Sequence, residues 1–106
     1  MEQIQYIVVS ELKKEEQAII NDLCTEYYPK IKRILQNDLT LKVRVKSYNK
    51  GGKSKYSIHC HAEAPTKEFE SEKADWDLAR TLHKVFNALM AEIEHAFHDK
   101  GLERRK

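Results

Sequence analysis

The chain has 106 residues, 41% hydrophobic and 34% charged, with a formal net charge of +2. That length suits one domain with a modest core, and no apolar run approaches the roughly 18 residues of a membrane-spanning helix. The N-terminal stretch MEQIQYIVVSELKK has neither a basic n-region nor a small-residue cleavage site, so no export signal is expected and the cytoplasm is the default compartment. Cys24 and Cys60 fall in a predicted helix and a predicted strand, where they read as small buried hydrophobes rather than a disulfide.

In chain order, Gln3 to Val9 reads as a short strand rich in Ile, Val and Tyr. Ser10 is a candidate N-cap. From about Leu12, apolar residues recur as Leu12, Ile19, Leu23, Tyr27, Ile31 and Ile34, flanked by Ile20, Cys24 and Leu35. This is the stripe of an amphipathic helix packed on a sheet. Pro29 removes the bond to the carbonyl of Thr25 and predicts a kink or a break. Asn37 and Asp38 end the helix.

A second strand is expected over Thr40–Tyr48, then a turn Asn49-Lys50-Gly51-Gly52-Lys53, then a third strand from about Ser54 to Ala64. Tyr56, Ile58, Cys60 and Ala62 share one face of that strand; Ser57, His59, His61 and Glu63 share the other. Pro65 and Thr66 turn the chain into a short fourth strand, Lys67 to Ser71, with Phe69 inward. The last helix is expected from Asp75, as N-cap, to about His98. Its stripe is Trp76, Ala79, Leu82, Phe86, Leu89, Ile93 and Phe97, flanked by Val85 and Met90, and Gly101 is its expected stop. Residues 1–100 then form a single domain and 101–106 a basic tail. The fold class is α+β, β-α-β-β-β-α: a four-stranded sheet with two helices on one face and solvent on the other.

Charge is unevenly placed along this order. Between Leu39 and Tyr56 stand six Lys/Arg (Lys42, Arg44, Lys46, Lys50, Lys53 and Lys55) and no Asp or Glu. Leu41, Val43 and Val45 point one way; Lys42, Arg44 and Lys46 point the other, onto the open face that also displays His59 and His61. Such a pattern suits the solvated face of any half-exposed strand, where lysine also deters edge pairing. Six positives without a negative weigh instead towards a polyanion, since Lys and Arg neutralise phosphates and release counterions. Tyr48 and Tyr56 near the turn could stack on unpaired bases.

Other chemistry has little support. His59 and His61 lie about 7 Å apart at their α-carbons by strand geometry, with no third ligand in view. His95 and His98 sit at ordinary surface helix spacing, so no metal is expected. Cys24 lies inside the core stripe, which argues against a nucleophile. Gly51-Gly52 joins two strands instead of opening a helix, so it is no phosphate loop. The acidic run Glu68, Glu70, Glu72, Asp75 and Asp77 suits an outward strand face followed by a helix N-terminus. An enzyme is not expected; neither is a cofactor, a small-molecule substrate or a membrane partner.

Three stretches resemble the ribosome hibernation-promoting factors, also called ribosome-associated inhibitors. They are Tyr28-Pro29-Lys30-Ile31-Lys32-Arg33-Ile34-Leu35 with Leu41-Lys42-Val43-Arg44-Val45; Tyr56-Ser57-Ile58-His59-Cys60-His61-Ala62-Glu63-Ala64; and Phe69-Glu70-Ser71-Glu72-Lys73-Ala74-Asp75-Trp76-Asp77-Leu78-Ala79 followed by Leu82 and Phe86. The resemblance implies a double-stranded-RNA-binding-like fold in a small cytoplasmic protein. It also implies binding to small-subunit ribosomal RNA, occlusion of the mRNA and tRNA channel, and silencing of translation in starved or cold cells. Lys30, Arg33 and Arg44 match basic positions of the family, and Lys30 and Arg33 are expected to continue the basic patch of the strand. The last helix departs from the family, with Val85, Ala88, Ala91, Glu92 and Glu94 on the face that the family makes basic, keeping Arg80 and Lys84. The long forms' second, dimerising domain has no counterpart, so a short form is expected. The expected RNA-binding set is Lys30, Arg33, Lys42, Arg44, Lys46, Lys50, Lys53, Lys55, His59, His61, Arg80 and Lys84. Two alternatives stand beside this reading: an RNA-binding module acting away from the ribosome, and a non-enzymatic homo-oligomeric interaction protein.

Overall fold

Alternation of Leu41, Val43 and Val45 with charged residues makes β2 a strand with one wet face, and the rest of the sheet assembles around it. The structure, a computed structural model, describes residues 3–8 and 12–104, with side chains for all of these but Lys50 and 97–104. Its elements are β1 (Ile4–Val8), α1 (Lys14–Leu35), β2 (Thr40–Lys50), β3 (Lys53–Glu63), β4 (Glu68–Asp75) and α2 (Leu78–Arg104). This is the expected β-α-β-β-β-α order. The sheet runs β1-β2-β3-β4. β1 is parallel to β2, reached through the α1 crossover that a parallel pair requires, and the other neighbours are antiparallel.

Both helices pack on one face. Ile20, Cys24, Tyr27 and Ile31 of α1 and Leu82, Val85, Phe86, Leu89 and Ile93 of α2 close over Leu41, Val43, Val45, Ile58, Cys60 and Ala62 of the sheet. The Tyr27 ring stacks on Phe86 at 4.8 Å between centroids, and its hydroxyl lies 2.6 Å from His83 Nδ1. Tyr28, which the helical stripe omitted, is buried because its hydroxyl donates to the Leu39 carbonyl at 2.9 Å and ties the end of α1 to the start of β2. No described helix is long and apolar enough to cross a membrane.

Several boundaries differ from those read in the sequence. Ser10 lies outside the described residues; α1 begins at Lys14, where Glu16 Oε1 accepts the Lys13 N–H at 2.8 Å in place of a hydroxyl cap. Ile19 sits off the buried stripe, with 36% of its surface exposed. Pro29 does not break α1: apolar contacts on both sides of it, from Ile20 and Cys24 to Ile31 and Leu35, hold a single helix. The helix ends at Gln36, whose left-handed backbone (φ 55) directs its N–H to the Lys32 carbonyl at 2.8 Å. The hairpin turn is tighter than expected, only Gly51-Gly52, with φ of 59 and 79. Positive φ at both central residues is the turn whose twist matches the strands it joins.

β4 runs four residues past Ser71, through Asp75. Glu72, Lys73, Ala74 and Asp75 are poor strand formers, but each pairs with a residue of β3, and pairing overrides propensity. The extension moves the start of α2 to Leu78. Asp77, not Asp75, caps it, its Oδ1 accepting the Arg80 N–H at 2.8 Å. Trp76 is therefore left at the corner, 51% exposed, instead of joining the core stripe. Val85 turns inward and is fully buried, so it is not part of the exposed face of α2. α2 also continues through Gly101 to Arg104, where a stop was expected.

Candidate nucleic-acid interface

The uncovered sheet face is built by register. Lys42 stands opposite His61, Arg44 opposite His59, and Lys46 opposite Ser57; His61 in turn stands opposite Glu70 and His59 opposite Glu72. The five expected residues, Lys42, Arg44, Lys46, His59 and His61, therefore share one surface. The acidic residues of β4 share it too. Charge runs in order across the strands, from cations on β2 through imidazoles on β3 to carboxylates on β4.

Ion pairs divide the candidates into two sets. Lys42 Nζ donates to Glu63 Oε1 at 2.8 Å, and this bond holds the Glu63 carboxyl below its ordinary range. His59 Nε2 lies 3.2 Å from Glu70 Oε2. His61 bridges two carboxylates, with Nδ1 3.6 Å from Glu63 and Nε2 3.6 Å from Glu68. Potential metal-ligand atoms of His61, Glu63 and Glu68 all lie within 4.8 Å of one another, a convergence that strand spacing alone did not reveal. His59 belongs instead with Glu70. By contrast, among the described residues Arg44, Lys46 and Lys53 have no ion-pair partner. Arg44 and Lys46 line one hollow with Ser57, His59 and Glu72.

Lys46 and Lys53 stand where the hairpin outruns its described neighbours. Among the described residues, β1 follows β2 as far as Val45, and β4 follows β3 from Tyr56 onwards. Residues 46–55 thus leave the sheet as a two-stranded ribbon carrying Lys46, Lys50, Lys53 and Lys55 and no Asp or Glu. Its base is anchored to the start of α1: the Tyr56 hydroxyl donates to Glu16, which raises the phenol's pKa. Ser54 Oγ donates to Asn49 Oδ1 at 2.6 Å across the strands.

The helical candidates lie elsewhere. Arg33 is exposed, about half a helical turn from the buried Ile31 and Leu35, and so looks away from the sheet. Lys30 Nζ sits 5.0 Å over the Tyr27 ring and 4.0 Å from Glu26. The expectation that Lys30 and Arg33 extend the strand's patch does not hold: α1 covers the opposite side of the sheet. Arg80 and Lys84 meet at the β4–α2 corner, 3.9 Å and 2.6 Å from the Asp75 carboxylate. Lys84 and the Trp76 N–H, which donates to Asp75 Oδ1 at 2.6 Å, keep that carboxyl below its usual range.

Cys24 and Cys60 are both free and buried. Loss of water pushes the Cys24 thiol up to about 12 and raises Cys60 as well, which disfavours the thiolate a nucleophile needs. Trp76 was missed as a surface residue. Its signal was the pair of aspartates around it, two cap-forming residues of which only one could start the helix.

The fold is a two-layer α+β domain with one bare sheet face. No protein-family model and no curated protein matches the sequence. Among solved structures the chain is similar to the crystal structure of the Thermus thermophilus Protein Y N-terminal domain, with a TM-score of 0.63 and 19% identity over 90% of this chain and 98% of that one. It is likewise similar to a ribosomal subunit interface protein from Coxiella burnetii, with a TM-score of 0.64 and 10% identity over 91% of this chain and 98% of that one. At these identities the likeness is one of fold. The resemblance to ribosome hibernation factors read from the sequence holds at that level.

Proposed function

We propose that this protein is a ribosome-associated factor that binds small-subunit ribosomal RNA, occludes the mRNA and tRNA channel and silences translation. The observation that carries the reading is the β2–β3 ribbon. Its Lys46, Lys53 and Lys55, with Arg44 at its root, project from a fold shared with a ribosomal subunit interface protein. Phosphate binding needs cations that are not already spent on carboxylates, and Arg44, Lys46 and Lys53 meet that condition. Lys42, His59 and His61 are secondary contacts, because an incoming phosphate must compete with Glu63, Glu68 or Glu70 for them. The cytoplasm follows as the compartment in which such a partner is met.

Sucrose-gradient sedimentation of ribosomes with the added protein tests this. Co-migration with the small subunit at low salt, lost as salt rises, is the expected result, because phosphate contacts release counterions. Protein that stays at the top of the gradient at every salt concentration overturns the proposal.

One observation favours a second reading, self-association. Edge strand β1 exposes Ile7 and Val8, at 39% and 51%, and an apolar edge invites pairing with another copy. A dimer in light scattering that persists at high salt would support it.

A further inference from the structure

Trp76 is the chain's single tryptophan, and half of its surface is in water. A lone exposed apolar side chain is ordinary, but this one is held in place and set among cations. The backbone N–H of Trp76 donates to Asp75 at 2.6 Å, Asp75 is gripped by Lys84 at 2.6 Å, and Asp77 caps the helix that follows. The corner therefore presents the ring from a fixed backbone. Across the sheet, Lys55 Nζ lies 5.7 Å from the indole centroid. Tyr48, 52% exposed, stands directly opposite Lys55 in the hairpin register. Lys53, Ser54 and Trp76 line an open hollow beside them.

From this we infer that Trp76, with Lys53 and Lys55, forms a stacking site for an unpaired RNA base, the lysines holding the phosphates on either side. A flat π-face accepts any base, while cations beside it fix the backbone. Asp75 does not repel the phosphates, since Lys84 and Arg80 both contact it. The inference rests on the proposed RNA-binding role and narrows it: part of the bound RNA is single-stranded at this corner.

The full chain's fluorescence tests it, because excitation at the red edge of the spectrum, where the five tyrosines do not absorb, leaves this single indole as the emitter. Titration with a 12-nucleotide oligoadenylate should quench the emission saturably. Inorganic polyphosphate of matched charge should compete for the protein yet leave the emission nearly unchanged. Trp76→Ala should weaken oligoadenylate binding about tenfold with less than a twofold effect on polyphosphate, and Trp76→Phe should restore most of the loss. Equal quenching by polyphosphate, or wild-type oligoadenylate affinity in Trp76→Ala, overturns the stacking site. If Trp76→Ala also still sediments with the small subunit, only the stacking site is lost. Failure of the wild-type protein to bind either polyanion removes both this inference and the proposed function.

Discussion

Lys42 and Arg44 point from the same face of β2, two residues apart, but only Lys42 is met by a carboxylate. The distinction comes from β3, which returns Glu63 alongside Lys42 but places His59 opposite Arg44 and Ser57 opposite Lys46. A cation without a partner gives up only water to bind phosphate; a paired one must also leave its carboxylate. Arg44→Glu with Lys46→Glu is therefore expected to reduce RNA affinity at least tenfold in a filter-binding titration. The unfolding free energy should fall by no more than about 1 kcal/mol, since both side chains lie on the sheet face away from the core, where the new carboxylates meet Glu72 across one open hollow. Lys42→Glu should do the reverse: it confronts Glu63 with a like charge and lowers stability, with a smaller loss of binding. If the double variant binds as wild type does, the strand face is not the contact surface.

At the scale of elements, what could be read from the sequence was whatever depends on local pattern. Alternation in β2 and β3 located the hairpin and its inward face, and the three-to-four spacing of Leu82, Phe86, Leu89 and Ile93 located α2. What escaped depended on partners distant in sequence. The segment Glu72–Asp75 has no strand pattern of its own and is a strand only because β3 offers a ladder to it. The pairing of His61 with Glu68 needed that same register. The misplacement of Arg33 was avoidable, since its spacing from Ile31 and Leu35 already put it on the back of α1. The β4–α2 corner also yields a prediction. Asp75 has a depressed folded-state pKa, so its contribution to stability is complete above the unfolded value of about 3.9 and is lost as pH falls through the folded one. Asp75→Asn should be less stable than wild type at pH 7 in urea denaturation, and the gap should close as the pH is lowered from about 5 towards 2. A gap that stays constant with pH would show that the carboxylate's charge is not what holds the corner.

Across the whole molecule, a net charge of +2 conceals a separation of surfaces. The chain measures 56 × 28 × 18 Å along its principal axes. The free cations of the ribbon leave the sheet on one side, while Arg33 stands on the helical layer behind it. A polyanion docked on the sheet face is out of reach of that arginine. Counterion release turns this into a measurement, since each phosphate contact contributes about 0.7 to 0.9 to the slope of log affinity against log salt. Arg44→Gln should lower the magnitude of that slope by about one such step, and Arg33→Gln should leave it unchanged. Because the slope counts contacts directly, the comparison holds whether the RNA is ribosomal or not. Equal losses in the two variants would mean that the polyanion wraps both layers, and a loss confined to Arg33→Gln would put the docking surface on the helices.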